Sequence, residues 1–159
     1  MVFIGGALGV GPKLTAEMVG HAEEILGYKL PQSYLDILFL QNGGYFEKTA
    51  FLTESPIKWD ECYVSCYLLY GIGGTNGIDA DTGSRYLIGE WDYPNIGVVI
   101  SSEGHTAFML DYSSCGPNGE PGVVYVDTDP EVRVSSLAST FSAFIAALTD
   151  EPDDDSDDE

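Results

Sequence analysis

The chain has 159 residues, 44% of them hydrophobic and 12% aromatic, which suffices for one well-formed core and makes a single domain the default. Twenty-six acidic residues against six basic ones give a formal charge of −20; eight of the acids fall in residues 150–159, leaving 18 acids against six bases and a net −12 for the body. Such a surface repels nucleic acid and anionic membrane and favours basic partners, so direct nucleic-acid binding is the most disfavoured function class.

The segment from Met1 to Gly11 is apolar, carries no positive charge and is interrupted by four glycines, so it does not read as a signal peptide. The first helix is expected over Ala16–Leu26, with Thr15 as N-cap, Glu17 near the positive helix end and Gly27 as the stop. Met18, Val19, Ala22, Ile25 and Leu26 form its apolar face. His21 lies beside that face, with no second His, Cys or acid placed to share a metal. The short link to Leu30 lets this helix pack on the next.

That next stretch, Leu30 to Gly44, organises the chain. Pro31 suits a first helical turn, and Asn42-Gly43-Gly44 suits an end closed by a left-handed residue. Tyr34, Ile37, Leu38 and Gln41 share one face with Leu35 and Phe39 beside it, a broad apolar arc expected of a helix buried on more than one side.

Beyond Gly44 the pattern becomes extended. Tyr45–Thr53 and Tyr63–Tyr70 read as strands, joined through a turn at Glu54–Lys58 around Pro56. Cys62, Cys66 and Leu68 then share one side of the pleat. Residues four apart on a strand are separated by roughly 13 Å, beyond disulfide reach, so these are expected to be packing thiols. With Cys115 they make an odd number in a chain lacking an export signal, and reduced thiols in a cytoplasmic protein are the simplest account. The longest uncharged run, Cys62–Ile78, is too rich in glycine and polar residues for a membrane span.

Gly71-Ile72-Gly73-Gly74-Thr75-Asn76-Gly77 has the glycines of a phosphate loop but neither the Gly-Lys-Ser/Thr of a P-loop nor the full dinucleotide spacing. It is expected to be a plain loop leading into a helix from about Asp81 to Glu90, with Tyr86, Leu87 and Trp91 inward and Pro94 as the stop. Strands follow at Ile96–Ser101 and Thr106–Tyr112, bent at Ser102–His105 where Gly104 supplies positive φ. After a link at Ser113–Gly122 come a strand at Val123–Asp127, a turn at Thr128–Pro130 and a short extended piece at Val132–Val134. Ser139 is the expected cap of a last helix, Thr140–Leu148, with Phe141, Phe144, Ile145 and Leu148 as its apolar stripe.

Several of these pieces together resemble the SUKH superfamily, the fold of fungal cell-wall-synthesis regulators and of many bacterial toxin-immunity proteins. The resemblance rests on Leu30-Pro31 with Tyr34 three residues on, Asn42-Gly43-Gly44, Leu69-Tyr70-Gly71, the hairpin of Ile96–Ile100 and Phe108–Tyr112, Gly122-Val123, and Thr140-Phe141 with Phe144. It covers about 120 residues, an estimate that already exceeds half of a typical domain. The departure is the bend, where the family often has Gly-Asp-Gly-Gly-Gly-Asn and this chain has Ser-Glu-Gly-His-Thr-Ala.

The expected fold is therefore α+β: a single SUKH-like domain over residues 1–149, whose mostly antiparallel sheet of five to six strands is packed by an N-terminal helix pair and a C-terminal helix. Residues 150–159 are expected to be a disordered acidic tail. Enzymatic readings fare poorly. Two histidines and no Cys/His cluster give neither a zinc site nor a nucleophilic dyad, and Glu103 with His105 fits a solvated turn better than an acid–base pair. No cofactor or metal is expected. What remains is protein binding, with acids that steer a basic partner and aromatics that anchor it. The acids Asp60, Glu61, Asp79, Asp81, Glu90, Asp92 and Glu103 and the aromatics Trp59, Tyr63, Trp91, Tyr93 and Tyr112 qualify. The core of the candidate site is Asp79, Asp81, Trp91, Asp92, Glu103, His105 and Tyr112. The resemblance implies a cytoplasmic immunity protein that binds a toxin domain, commonly a basic nuclease. An intracellular regulator or scaffold, and a small-ligand sensor using Gly71–Asn76, are the alternatives.

Overall fold

The structure, a computed structural model, describes residues 2–6, 8–58 and 61–152. Helix α1 (Ala16–Leu26) is bounded as its caps require. Thr15 Oγ1 accepts the Met18 amide at 3.2 Å, and Gly27, at φ 81°, donates its amide to Glu23. Helix α2 (Gln32–Leu40) buries Tyr34, Leu35 and Leu38 but leaves Phe39 and Leu40 exposed, so its apolar arc is buried on one side only. Pro31 is the N-cap rather than a first-turn residue, and Gln41 ends the helix in an extended conformation, so no left-handed residue closes it.

Asn42-Gly43-Gly44 serves a crossing of chain segments instead. Asn42 is buried, and its Nδ2 donates to the carbonyls of Pro12 (2.6 Å) and Ile72 (2.7 Å) while its Oδ1 accepts the Ile72 amide (2.9 Å). Gly43, at φ 93°, passes so close to the Leu69–Gly71 backbone that a Cβ would lie 2.9 Å from the Gly71 nitrogen. Tyr34 adds a second tie, its hydroxyl donating to the Tyr70 carbonyl at 2.6 Å.

The two long strands expected on either side of residues 54–58 are each broken in two. Strand β1 (Gly44–Tyr45) pairs antiparallel with β4 (Leu68–Leu69), and β2 (Ala50–Leu52) with β3 (Tyr63–Ser65). The break explains the cysteines. Cys62 precedes β3 and is exposed, while Cys66 follows it and is buried, so the two do not share a pleat face. Only Cys66 is a core thiol; burial pushes it up to about 12 against the lowering effect of a Ser101 hydrogen bond. Cys115 is exposed.

Helix α3 (Ser84–Trp91) begins three residues later than Asp81, because turns closed by Ala80 N–Gly77 O and Gly83 N–Ala80 O occupy the chain before it. Tyr86 points outward, whereas Leu87, Ile88 and Trp91 pack inward. Asp92, at φ 60°, closes the helix before Pro94 is reached.

The main sheet has the order β5 (Gly97–Glu103), β6 (Thr106–Asp111), β7 (Gly122–Asp127), β8 (Arg133–Ala138), with every neighbour antiparallel. The last strand is twice the length expected. Helix α4 (Phe141–Ala147) follows, capped by Thr140 Oγ1 accepting the Ala143 amide, so Ser139 is not its cap. The α+β class with antiparallel pairing is as expected, but the strands form one four-stranded and two two-stranded sheets.

Both faces of the main sheet are covered. Val98, Ile100, Phe108, Leu110, Val123 and Tyr125 join α1, α2 and α4 in the larger core, where Phe141 and Phe144 are fully buried. Burying such a side chain contributes about 1.5–3 kcal/mol. Val99, Ala107, Met109, Val124 and Val126 meet α3 and Tyr93 on the other face. Two-sided burial is why these strands read as near-continuous apolar runs rather than as alternation.

The chain end is bound for longer than expected. Thr149 and Ala50 exchange both backbone hydrogen bonds, and the Glu151 carboxylate accepts from Ser65 Oγ (2.6 Å) and Tyr67 Oη (2.8 Å). Glu151, within the expected tail, is thus held by two hydroxyls in and beside β3. Residues 153–159, the rest of the expected tail, lie outside the described residues.

Two predictions follow from these ties. Asn42→Ala leaves two carbonyls and one amide of crossing segments unpaired, and should lower unfolding stability in urea by about 2–4 kcal/mol. The bonds from Ser65 and Tyr67 hold the Glu151 carboxyl below the usual range. A group depressed in the folded state stabilises above its unfolded pKa and loses that effect as pH falls through its folded value. The thermal midpoints of wild type and Glu151→Gln should therefore differ at neutral pH and converge in acid; a gap independent of pH would refute the assignment.

Candidate functional site

The β5–β6 hairpin ends in a tight bend, with Glu103 paired across to Thr106 and Gly104 at φ 69°. Glycine is suited there because the bend requires positive φ. The bend is held from beneath by Tyr93, a buried residue just past α3. Its hydroxyl lies 2.7 Å from Ser102 Oγ and 3.2 Å from the Thr106 carbonyl, and it also donates to the Gly104 carbonyl. Burial pushes this phenol up despite the Ser102 bond, so it stays a donor at neutral pH. A further tie comes from the β7–β8 connection, where the Thr128 amide and hydroxyl both reach the His105 carbonyl, at 2.9 and 3.2 Å.

Above this frame, the indole of Trp91 meets the exposed His105 ring edge to face, with centroids 5.3 Å apart and planes at 75°. Glu103 and Asp92 are exposed on either side. The register Thr106↔Asp127↔Arg133 brings the β7–β8 turn to the same end of the sheet, and with it the exposed Asp129 and Glu131. The result is an end of the sheet with several exposed acids, one half-buried tryptophan and, opposite Asp127, the exposed Arg133. Sequence reasoning missed Asp129 and Glu131 because it treated residues 128–130 only as a turn; the hairpin pairing was the signal that could have placed them.

Of the expected site residues, Trp91, Asp92, Glu103 and His105 are brought together here. Asp81 is exposed but lies before the start of α3, a helix of eight residues and so about 12 Å long, away from Asp92 at its other end. Asp79 is half-buried and committed to its own loop, its Oδ1 accepting the Gly73 amide at 2.8 Å. Tyr112 does not belong to the surface. It is only 2% exposed, its hydroxyl donates to the Lys29 carbonyl at 2.7 Å, and its ring stacks on Tyr28 at 4.4 Å. Tyr93, from the wider set of aromatics, is likewise interior. Tyr63 and Glu61 are half-buried, Glu90 is exposed, and Trp59 and Asp60 lie outside the described residues.

Other chemistry has less to work with. The Gly71–Asn76 loop borders a cleft of about 220 Å³ with Gly9–Pro12, below the roughly 300–1,000 Å³ of pockets that enclose drug-sized ligands. Among the described residues no three His, Cys, Asp or Glu side chains converge as metal ligands. His105 Nδ1 lies 3.5 Å from Thr128 Oγ1, a polar neighbour that is neither an acid nor a nucleophile raised for attack. No helix among the described residues is long and apolar enough to cross a membrane.

If Tyr93 holds the bend, Tyr93→Phe should leave the core packed but free the hairpin tip. Amide exchange at residues 103–106 should quicken, at a stability cost of about 1 kcal/mol. Unchanged exchange at the tip would show that the hairpin holds itself.

Comparison of the chain with curated proteins and with solved structures returned no match. A family model described as SMI1-KNR4 cell-wall, SUKH_6, matches residues 16–145, from the first residue of α1 into α4. The matched span contains the Leu30–Gly44 stretch, the crossing at Asn42, the main sheet and the acidic hairpin end, and the chain belongs to the SUKH superfamily.

Proposed function

We propose that this protein is a non-enzymatic, cytoplasmic binding module, an immunity protein that neutralises a basic, nuclease-type toxin domain. The observation that carries the reading is the acidic end of the sheet, where the exposed acids Asp92, Glu103, Asp129 and Glu131 lie at the end where Trp91 of α3 meets His105 on a hairpin fixed from below. A nuclease holds phosphates with a basic surface, and an acidic end with an aromatic anchor meets the same surface. With a body charge of −12, attraction extends beyond contact and speeds encounter. A second reading, regulation of cell-wall synthesis through protein binding, is favoured by the description of the matching family. It calls on the same surface and differs in the partner.

The test is inhibition of purified basic nuclease toxin domains at stoichiometric protein. At least one nuclease should lose activity, with an association rate that falls as salt rises past about 0.15 M, where the screening length is about 8 Å. Glu103→Lys should slow association at low salt without lowering the thermal midpoint, whereas Asp81→Lys, before the far end of α3, should slow it less. Asp79 is left intact because its carboxylate braces the Gly73 loop. A panel in which no nuclease is inhibited would overturn the immunity reading, and turnover of a substrate that depends on His105 would overturn the non-enzymatic one.

A further inference from the structure

Strand β8 is an outer strand of the main sheet, paired with β7 on one side only. The opposite outer strand, β5, is overlaid by the segment after β4, where the Tyr70 amide donates to the Ile100 carbonyl. Among the described residues no backbone hydrogen bond reaches the outer edge of β8. The strand Arg133-Val134-Ser135-Ser136-Leu137-Ala138 has no proline and no lysine, and no acid points from it. Such features commonly keep an edge from pairing. Strand β8 has instead one charge, Arg133, drawn toward Asp127 at one end, and a register shift opposite Val123/Val124 at the other. Val134 and Ser135 lie in regular pairing between them as a template. Val132 and Val134 are 48% and 46% exposed on or beside it.

A cleft of about 680 Å³ lies between residues 51–57 and the face of the sheet that carries Tyr125 and Asp127 of β7 and Arg133 and Ser135 of β8. Its lining includes both Ser135 and Ser136. Consecutive strand residues point to opposite faces, so a cavity touching both reaches the strand's backbone edge. Asp127 and Arg133 line the cleft; the Asp127 carboxylate pairs with Lys58 at 2.8 Å, and Arg133 lies 3.8 Å from it. At the N-terminal end of β8 this edge continues into the acidic end of the sheet, through Glu131 and Asp129.

We propose that β8 accepts an added strand from a basic partner protein. The incoming segment is extended, with branched apolar residues at alternate positions against Val132 and Val134. Its intervening side chains enter the cleft beside Leu52 and Leu137, and a Lys or Arg pair at one end lies against Asp129 and Glu131. Main-chain hydrogen bonds supply affinity in this mode, and the pockets for alternate side chains supply selectivity. Charge decides between possible occupants. A second copy would bring another −20 to the same edge, whereas a basic segment is drawn to it. The partner class rests on the function proposed above, but the strand addition has its own test.

That test is selection from a random peptide library of about ten residues, long enough to span a strand, on the intact protein. Recovered peptides should share the alternating apolar pattern with a basic end. A synthetic one should shift the backbone amides of residues 133–138 in nuclear magnetic resonance and newly protect from exchange the alternate ones that point away from β7. Val134→Lys, a solvent-facing change that leaves the core alone, should keep the thermal midpoint and weaken peptide binding at least about tenfold, or 1.4 kcal/mol. Asp81→Lys with Glu103→Lys should leave the peptide bound on the same amides. Failure to enrich peptides, shifts confined to other elements, full binding by Val134→Lys, or dimers of the protein that dissolve in Val134→Lys would each overturn the proposal. Loss of nuclease inhibition with peptide docking intact would fault the partner class, and inhibition undiminished in Val134→Lys would fault the strand.

Discussion

The fold depends on one carboxamide. Asn42 stands where three pieces of chain meet: the segment before α1, the turn after α2 and the loop after β4. Each has backbone groups that helix or ladder bonding does not satisfy, and the bonds at Ile72 are buried, so a group left unpaired there would cost about 1–3 kcal/mol. A carboxamide offers donors and an acceptor from one planar group, which is what two carbonyls and an amide require. Aspartate would lose the donors and leucine would lose everything. The adjacent glycines belong to the same device, because only a residue without a side chain lets the two backbones pass at Gly43.

From that crossing outward the structure becomes a frame for the sheet. With both faces buried, the sheet positions its ends, and its ends carry the exposed acids. Helix α3 links the two, since one side of it seals the sheet through Leu87, Ile88 and Trp91 while its C-terminal residue carries the indole to the hairpin. These exposed acids are thus mounted on the most deeply packed part of the molecule. A change in surface charge there leaves the core untouched, whereas a change in the crossing is felt throughout.

How much of this was legible in the sequence varies with the physics of each element. The bounds of α1 were readable because a Thr cap, helical spacing and a Gly stop act within one element, and the hairpin with its Gly104 bend was readable for the same reason. Tyr112 was misplaced because its burial comes from Tyr28 and Lys29, more than eighty residues away, which no local pattern records. Cys62 was misplaced because the strand around it is only three residues long, too short for alternation to speak. The cap of α4 moved by one residue between two hydroxyl residues, a choice that spacing alone leaves undecided. That Glu103 and His105 lie together was legible because both sit on one turn. Asp129 and Glu131 were missed because only the pairing of β6, β7 and β8 brings them there.

The Tyr93 hydroxyl, joined to Ser102, Gly104 and Thr106, has a consequence for evolution rather than for folding. A hairpin held in one shape does not reshape itself around a partner whose contact residues drift. Mismatch on the other side is then not absorbed by loop movement but appears in full as lost affinity. Recovery requires a compensating substitution among the exposed residues of the tip, which are free to vary because the hydroxyl grips the backbone and not their side chains. Under the proposed function, a lineage carrying this hairpin would change at positions 103 and 105 in step with its partner while position 93 stays tyrosine.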